Sequence, residues 1–140
     1  MLKTNTIGVM SEREEYALSS LAQIGENYGF RKIRRELDVT AFGINALVLP
    51  PDYESGLHYH EEQEETYFVH KGQVEFRFGD GTRHLLGPGG LVRVDAHVHR
   101  GVRNAGQSEA IVIVAGGKDG YVGRDGQAVG AGARSGPPGA

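Results

Sequence analysis

The chain has no cysteine, which excludes disulfides, thiolate zinc sites and cysteine nucleophiles. No apolar run approaches the length of a membrane span. The opening stretch, MLKTNTIGVMSEREE, also lacks the apolar segment of a secretory leader. A dominant charge is missing too. Fifteen Lys and Arg against 18 Asp and Glu give a net charge of −3, with no basic block. Neither nucleic acid nor an anionic membrane is therefore an expected partner. No Ser-His-Asp ordering, P-loop or dinucleotide fingerprint is visible, and GDGTRHLLGPGG is turn chemistry that does not stand before a helix. These absences lead us to expect a cytoplasmic domain.

What is abundant is glycine, 22 of 140 residues, punctuating short apolar stretches. A chain of this length is expected to form one domain around one core. Ser11 and Glu14 have capping-box spacing, and Leu18, Leu21 and Ala22 recur at helical spacing before Gly25, predicting a short N-terminal helix. After it, FRKIRREL, AFGINALVL, TYFVHKG, QVEFRF, TRHLL, LVRVDA, HRGVRN and EAIVIVAGG read as strands separated by turns. TYFVHKG and QVEFRF are expected to pair around Lys71-Gly72, and Asp80-Gly81 to make a hairpin. The expectation is an all-β fold with residues 1–29 as an extension, 30–122 as the barrel and 123–140 as a Gly/Ala/Pro-rich disordered tail. GYVGRDG, residues 120–126 where barrel and tail meet, can still cover the barrel edge.

Chemistry concentrates in HYHEEQEETYFVHKG, residues 58–72. On a strand, His58 and His60 point to one side and can share one ion. Two histidines with a carboxylate suit iron or manganese, and histidine also suits zinc or nickel. If Tyr67 and Val69 line the interior, Glu65 joins them, Glu64 points out, and Glu61 and Glu62 lie in a loop. An HxH pair alone is weak, since His97-x-His99 is a second one.

The spacing carries more. Gly56-Leu57-His58-Tyr59-His60, then four residues, Glu65, then six residues and Gly72, resembles the first motif of the cupin superfamily, and the ending VAGGKDGYVGRDG resembles that of small bacterial single-domain cupins. Pro88, Gly89 and Gly90 followed by LVRVDAHVHRGVRN resemble the second motif, with Asn104 as its closing Asn. The resemblance implies a cupin-type β-barrel, a double-stranded β-helix or jelly roll, with a divalent metal (Fe, Mn, Zn or Ni) on His58, His60 and Glu65. It also implies a fourth ligand from the second motif. There this chain departs from the pattern: the motif's spacing selects Arg100, and His99 lies one position off. A one-residue slip on a strand reverses the side chain.

Two readings stand side by side. A β-bulge at Gly101 turns His99 inward as fourth ligand, or Arg100 enters the cavity and the metal keeps three ligands. Arg100 can also replace the metal's charge, pairing with Glu65 or an anionic ligand. His97 is read as a loop residue, and His70 and His84 as surface. The expected function is a metal-dependent enzyme on a small organic molecule, oxygenase-type first, with Tyr67 or Arg100 orienting substrate. A metal-dependent isomerase or cyclase and a non-catalytic small-molecule binding or sensing module are the alternatives. Exposed edge strands need cover, and the resemblance implies paired barrels, so a homodimer is expected, with the N-terminal extension able to cross to the partner.

Overall fold

The computed structural model describes residues 13–130. Two five-stranded antiparallel sheets enclose the core. The first runs, in spatial order, β1 (Gly29–Arg31), β2 (Gly43–Leu49), β9 (Ala110–Gly117), β4 (Glu64–Lys71) and β7 (Leu91–Val94). The second runs β10 (Gly126–Ala128), β3 (His58–His60), β8 (Arg100–Asn104), β5 (Val74–Phe78) and β6 (Arg83–Leu86). Two short helices, α1 (Leu21–Ile24) and α2 (Ile33–Leu37), complete the elements. This is the jelly roll expected from the sequence. Among the described residues no helix is long and apolar enough to cross a membrane.

Alternation builds the core. Leu47 and Leu49 of β2, Tyr67 and Val69 of β4, and Val112 and Val114 of β9 face inward from the first sheet. Val74 and Phe76 of β5 and Val102 of β8 meet them from the second. The intervening residues of β2, Ala46 and Val48, lie with Ile111 in a second cluster on the opposite face, covered by Leu21 of α1 and Ile33 of α2. Both faces of β2 are thus buried, which explains its unbroken apolar run.

Three expectations are corrected. The N-terminal helix is one turn only, capped by Ser20, whose side chain accepts from the Gln23 N–H at 3.3 Å. The proposed cap Ser11 lies outside the described residues, and Leu18 is exposed. FRKIRREL is a strand only through Arg31; Ile33–Leu37 is helical. Its Ile33 and Leu37 stand at i and i+4, a spacing that puts both on one helical face. Finally, β4 and β5 do not pair with each other. Val69 and Val74 both belong to the core between the sheets, so the Lys71-Gly72 turn carries the chain from the first sheet to the second. The Asp80-Gly81 hairpin does form, pairing β5 with β6.

Asn104 ties the two sheets together at the end of β8. It is fully buried, and its Nδ2 donates to the carbonyls of Leu49, Pro50 and Ser108 at 2.9–3.1 Å while Oδ1 accepts from the Gly106 N–H. Truncating it removes the side-chain donor to the buried Leu49 carbonyl and the acceptor for the Gly106 N–H. Asn104→Ala is expected to lower unfolding free energy by about 3 kcal/mol, read as a reduced midpoint with unchanged slope in urea titration.

Candidate metal centre

His58 and His60 come from β3 in the second sheet and Glu65 from β4 in the first, so the core brings them face to face. One nitrogen from each histidine and one Glu65 oxygen lie within 4.8 Å of one another. The two imidazoles meet edge to face, with centroids 5.2 Å apart. Along β4, Glu65, Tyr67 and Val69 are buried while Glu64, Thr66 and Phe68 face out. Glu61 and Glu62 are exposed, and Glu64 pairs with Arg93 at 3.0 Å.

His99 is not part of this cluster. Its ring stacks on Tyr59, centroids 5.0 Å apart and 22° from parallel. The bulge that would have turned it inward does not form: β8 pairs with β5 in unbroken register from Phe78↔Arg100 to Val74↔Asn104. Gly101 meets a different need. A Cβ there would lie 2.8 Å from Arg77 Nη2 and 2.9 Å from the Gly56 carbonyl, so the glycine admits a close approach of chains.

Arg100 occupies the interior instead, with no exposed surface. Its Nη2 donates to Glu65 Oε1 at 2.8 Å and its Nε to Tyr67 Oη at 3.4 Å. Its Nη1 reaches the carbonyls of Asp95, Ala96 and Val98 at 3.3, 3.1 and 2.7 Å. Tyr67 Oη in turn donates to Glu65 Oε1 at 2.6 Å. Arg100 and Tyr67, expected to orient substrate, thus direct these donors at Glu65 and a loop. They hold the carboxylate.

The charges follow from these contacts. Burial alone pushes the Glu65 carboxyl up, but His60, Tyr67 and Arg100 more than offset it and hold its pKa at about 2. Burial, aided by the Arg100 charge, lowers His58 to about 4, so it is neutral at pH 7. His60 is also buried, yet the Glu65 and Asp125 carboxylates beside it raise its pKa above the ordinary value. Its Nε2 comes within 3.2 Å of Glu65 Oε1 without hydrogen-bond geometry. His58 Nδ1 and His60 Nε2 are both buried with no hydrogen-bond partner. Two neutral-capable imidazole nitrogens beside an ionised carboxylate fit a divalent first-row metal.

Asp125 is the residue that the sequence reading missed. It lies in the stretch assigned to an unstructured tail, where residues 126–128 instead form β10 on the edge of the second sheet. Its carboxylate contacts His60 Nδ1 at 2.7 Å. The edge-covering potential of GYVGRDG was the only signal. A cleft of about 630 Å³ opens nearby, lined by Glu61, Glu62, Glu64, Asp95, His97 and Lys118 among others, but by none of the three clustered residues.

Comparison with known proteins agrees with this architecture. The cupin-domain family model matches residues 46–116, half of the chain. The chain belongs to the cupin family. No curated protein matches it. Among solved structures, a cupin-superfamily sugar phosphate isomerase from Silicibacter pomeroyi is 26% identical with a TM-score of 0.58, the match covering 64% of this chain and 58% of that one. A cupin protein from Bacteroides fragilis is 20% identical over 75% and 86% of the two chains, TM-score 0.64. The DMSP lyase of Ruegeria pomeroyi is 20% identical over 64% and 43%, TM-score 0.55. The chain therefore spans little more than half of the isomerase, and the less similar pairs show the fold alone.

The Glu65–Arg100 pair makes a stability prediction for protein stripped of metal. The folded pKa of Glu65 lies below its unfolded value of about 4.3. Its stabilisation is therefore complete above that value and lost as pH falls through about 2. Glu65→Ala leaves Arg100 buried without its counter-charge, and about 3 kcal/mol of stability should be lost at pH 7. Urea titrations from pH 7 to pH 2 should show a shallower acid-side decline in the variant than in the parent. Parallel declines would mean that Glu65 is not the group titrating.

Proposed function

We propose that this cupin holds a divalent metal ion on His58, His60 and Glu65 and is a metal-dependent enzyme acting on a small organic molecule. The observation that carries the reading is the pair of buried imidazole nitrogens, His58 Nδ1 and His60 Nε2, left without hydrogen-bond partners beside the ionised Glu65. Unpaired buried polar atoms are costly, and a metal is the partner that this donor set satisfies. Iron, manganese, zinc and nickel all suit it.

When bound, such an ion supplies Lewis acidity and, if it is iron, chemistry with dioxygen at coordination positions that three protein ligands leave open. The chain's own residues prepare the site. Tyr67 and Arg100 keep Glu65 ionised and aimed, and burial keeps His58 neutral. The hydroxyl of Tyr67, pushed well above its ordinary pKa by burial, is a hydrogen-bond donor and not a base. Oxygenase-type chemistry is our first assignment, because the titratable groups around the cluster are engaged in holding it. Isomerisation or cyclisation needs the same ion as a Lewis acid, and the Silicibacter pomeroyi neighbour bears the name of an isomerase.

One observation favours a second reading, a metal-free binding module. Arg100 already neutralises Glu65 from inside the barrel. Elemental analysis of protein purified without chelator separates the two. The enzyme reading expects about one equivalent of Fe, Mn, Zn or Ni per chain, lost in His58→Ala and His60→Ala and retained in His99→Ala. Sub-stoichiometric metal, the same in parent and His58→Ala, rejects it and leaves the binding module.

We also propose a homodimer. Phe68 and Leu91 stand opposite each other on the outer face of the first sheet, 40% and 68% exposed, an apolar pair that a second copy would cover. A monomer mass that does not change with concentration in sedimentation ends that proposal.

A further inference from the structure

We propose that Asp125 is the positioning residue of the histidine pair, holding His60 as the Nδ1–H tautomer so that Nε2 presents its lone pair beside His58 and Glu65. The inference rests on the metal reading above and adds a residue outside the ligand set.

The hydrogen-bond bookkeeping of the carboxylate carries it. Asp125 Oδ2 accepts from the backbone N–H groups of Glu62 and Gln63, both at 2.9 Å. Oδ1 accepts from Gln63 Nε2 and lies 2.7 Å from His60 Nδ1. Three donors already converge on an ionised acid, which can only accept. The histidine nitrogen facing it must therefore donate, and the proton sits on Nδ1. That leaves Nε2 bare, and Nε2 is the atom buried without a hydrogen-bond partner. A carboxylate behind a metal-binding imidazole fixes both its tautomer and its ring plane.

The surrounding chain is built to the same end. β10 pairs along the histidine strand in the register Gly126↔His60, Gln127↔Tyr59 and Ala128↔His58. Glu61 N–H to the Asp125 carbonyl (3.3 Å) and Val129 N–H to the Leu57 carbonyl (3.0 Å) extend the seam at both ends. A Cβ on Gly126 would come within 3.3 Å of His60 Cε1 and 3.7 Å of its Nδ1. A side chain there would crowd the ring by a few tenths of an ångström. The segment from Asp125 to Val129 is a strap along the edge of β3, with one carboxylate in contact with His60.

The substitution that tests this is Asp125→Asn. The backbone N–H groups of Glu62 and Gln63 still require an acceptor, so the amide oxygen turns to them and its NH2 faces His60. The imidazole must then accept at Nδ1 and carry its proton on Nε2, the nitrogen needed for the ion. With Zn2+ as probe, competition against a chromophoric chelator should show affinity lower by about 10- to 100-fold, while thermal unfolding stays cooperative. Nitrogen-15 NMR of metal-free protein, above the imidazole titration range, should show His60 protonated at Nδ1 in the parent and at Nε2 in Asp125→Asn. A role in packing alone would not exchange the two nitrogens. Unchanged Zn2+ affinity in the variant, or a parent His60 protonated at Nε2, overturns the proposal. If Asp125→Asn does not fold, the parent's tautomer still decides. If the parent takes up no Zn2+ at all, the metal reading falls by itself, and the tautomer still rules on Asp125.

Discussion

A carboxylate taken out of water into the seam between two sheets must be paired, or it protonates and disrupts its surroundings. Glu65 is in that position, and the rest of the site is arranged around it. Its Oε1 accepts from Tyr67 and Arg100 and lies against His60. Each of those partners belongs to a different part of the chain. Arg100 comes from β8 and is itself anchored on the loop carbonyls of Asp95, Ala96 and Val98. Moving any one of these strands would separate charges in a region where separation is expensive. The ionic cluster thus fixes the sheets relative to each other at one end of the barrel, as Asn104 does by neutral hydrogen bonds at the end of β8.

The cluster extends through His60 to Asp125, so that cationic or proton-bearing groups alternate with carboxylates: Arg100, Glu65, His60, Asp125. Alternation is what makes burial of several charges tolerable, because each has an opposite neighbour within hydrogen-bond reach. It also joins the edge strand β10 to the interior. A short strand held only by backbone pairing with three residues of β3 would be a weak attachment. Asp125 adds three further hydrogen bonds, from Glu62 and twice from Gln63, and converts that attachment into part of the site.

Much of this was legible in the sequence wherever side-chain parity was the deciding variable. Parity separated Glu65 from Glu64 only on the condition that Tyr67 and Val69 face inward, and the spacing to Gly72 made the choice; the strand obeys both. The alternative between His99 and Arg100 stayed open because it depended on whether Gly101 makes a bulge, and a glycine admits either a bulge or a close chain approach. Here the nearness of Ser55 and Gly56 uses it for the second. The pairing of β4 with β5 was misjudged because a tight turn ordinarily joins neighbours within one sheet, whereas a jelly roll uses the same turn to cross between sheets. Asp125 was illegible for a different reason. Composition marks the Gly-rich segment around it as poor in apolar surface, but that segment is held by backbone hydrogen bonds and one charge, which composition does not count.

Arg100 sets the terms on which any ion could join this arrangement. A dication brought near a guanidinium is repelled by it, and the repulsion is weakly screened inside a protein. With Glu65 alone as counter-charge, the guanidinium would already have neutralised the only anionic ligand. Asp125 changes the balance, because it adds a second negative charge in contact with His60 while contributing no atom to the three-residue cluster. Glu65 and Asp125 together offset Arg100 and leave one negative charge over for the ion. The exposed Glu61 and Glu62 at the nearby cleft add charge of the same sign. In the proposed site an arginine stands where the family resemblance implies a histidine ligand, and Asp125, in contact with His60, supplies a compensating carboxylate.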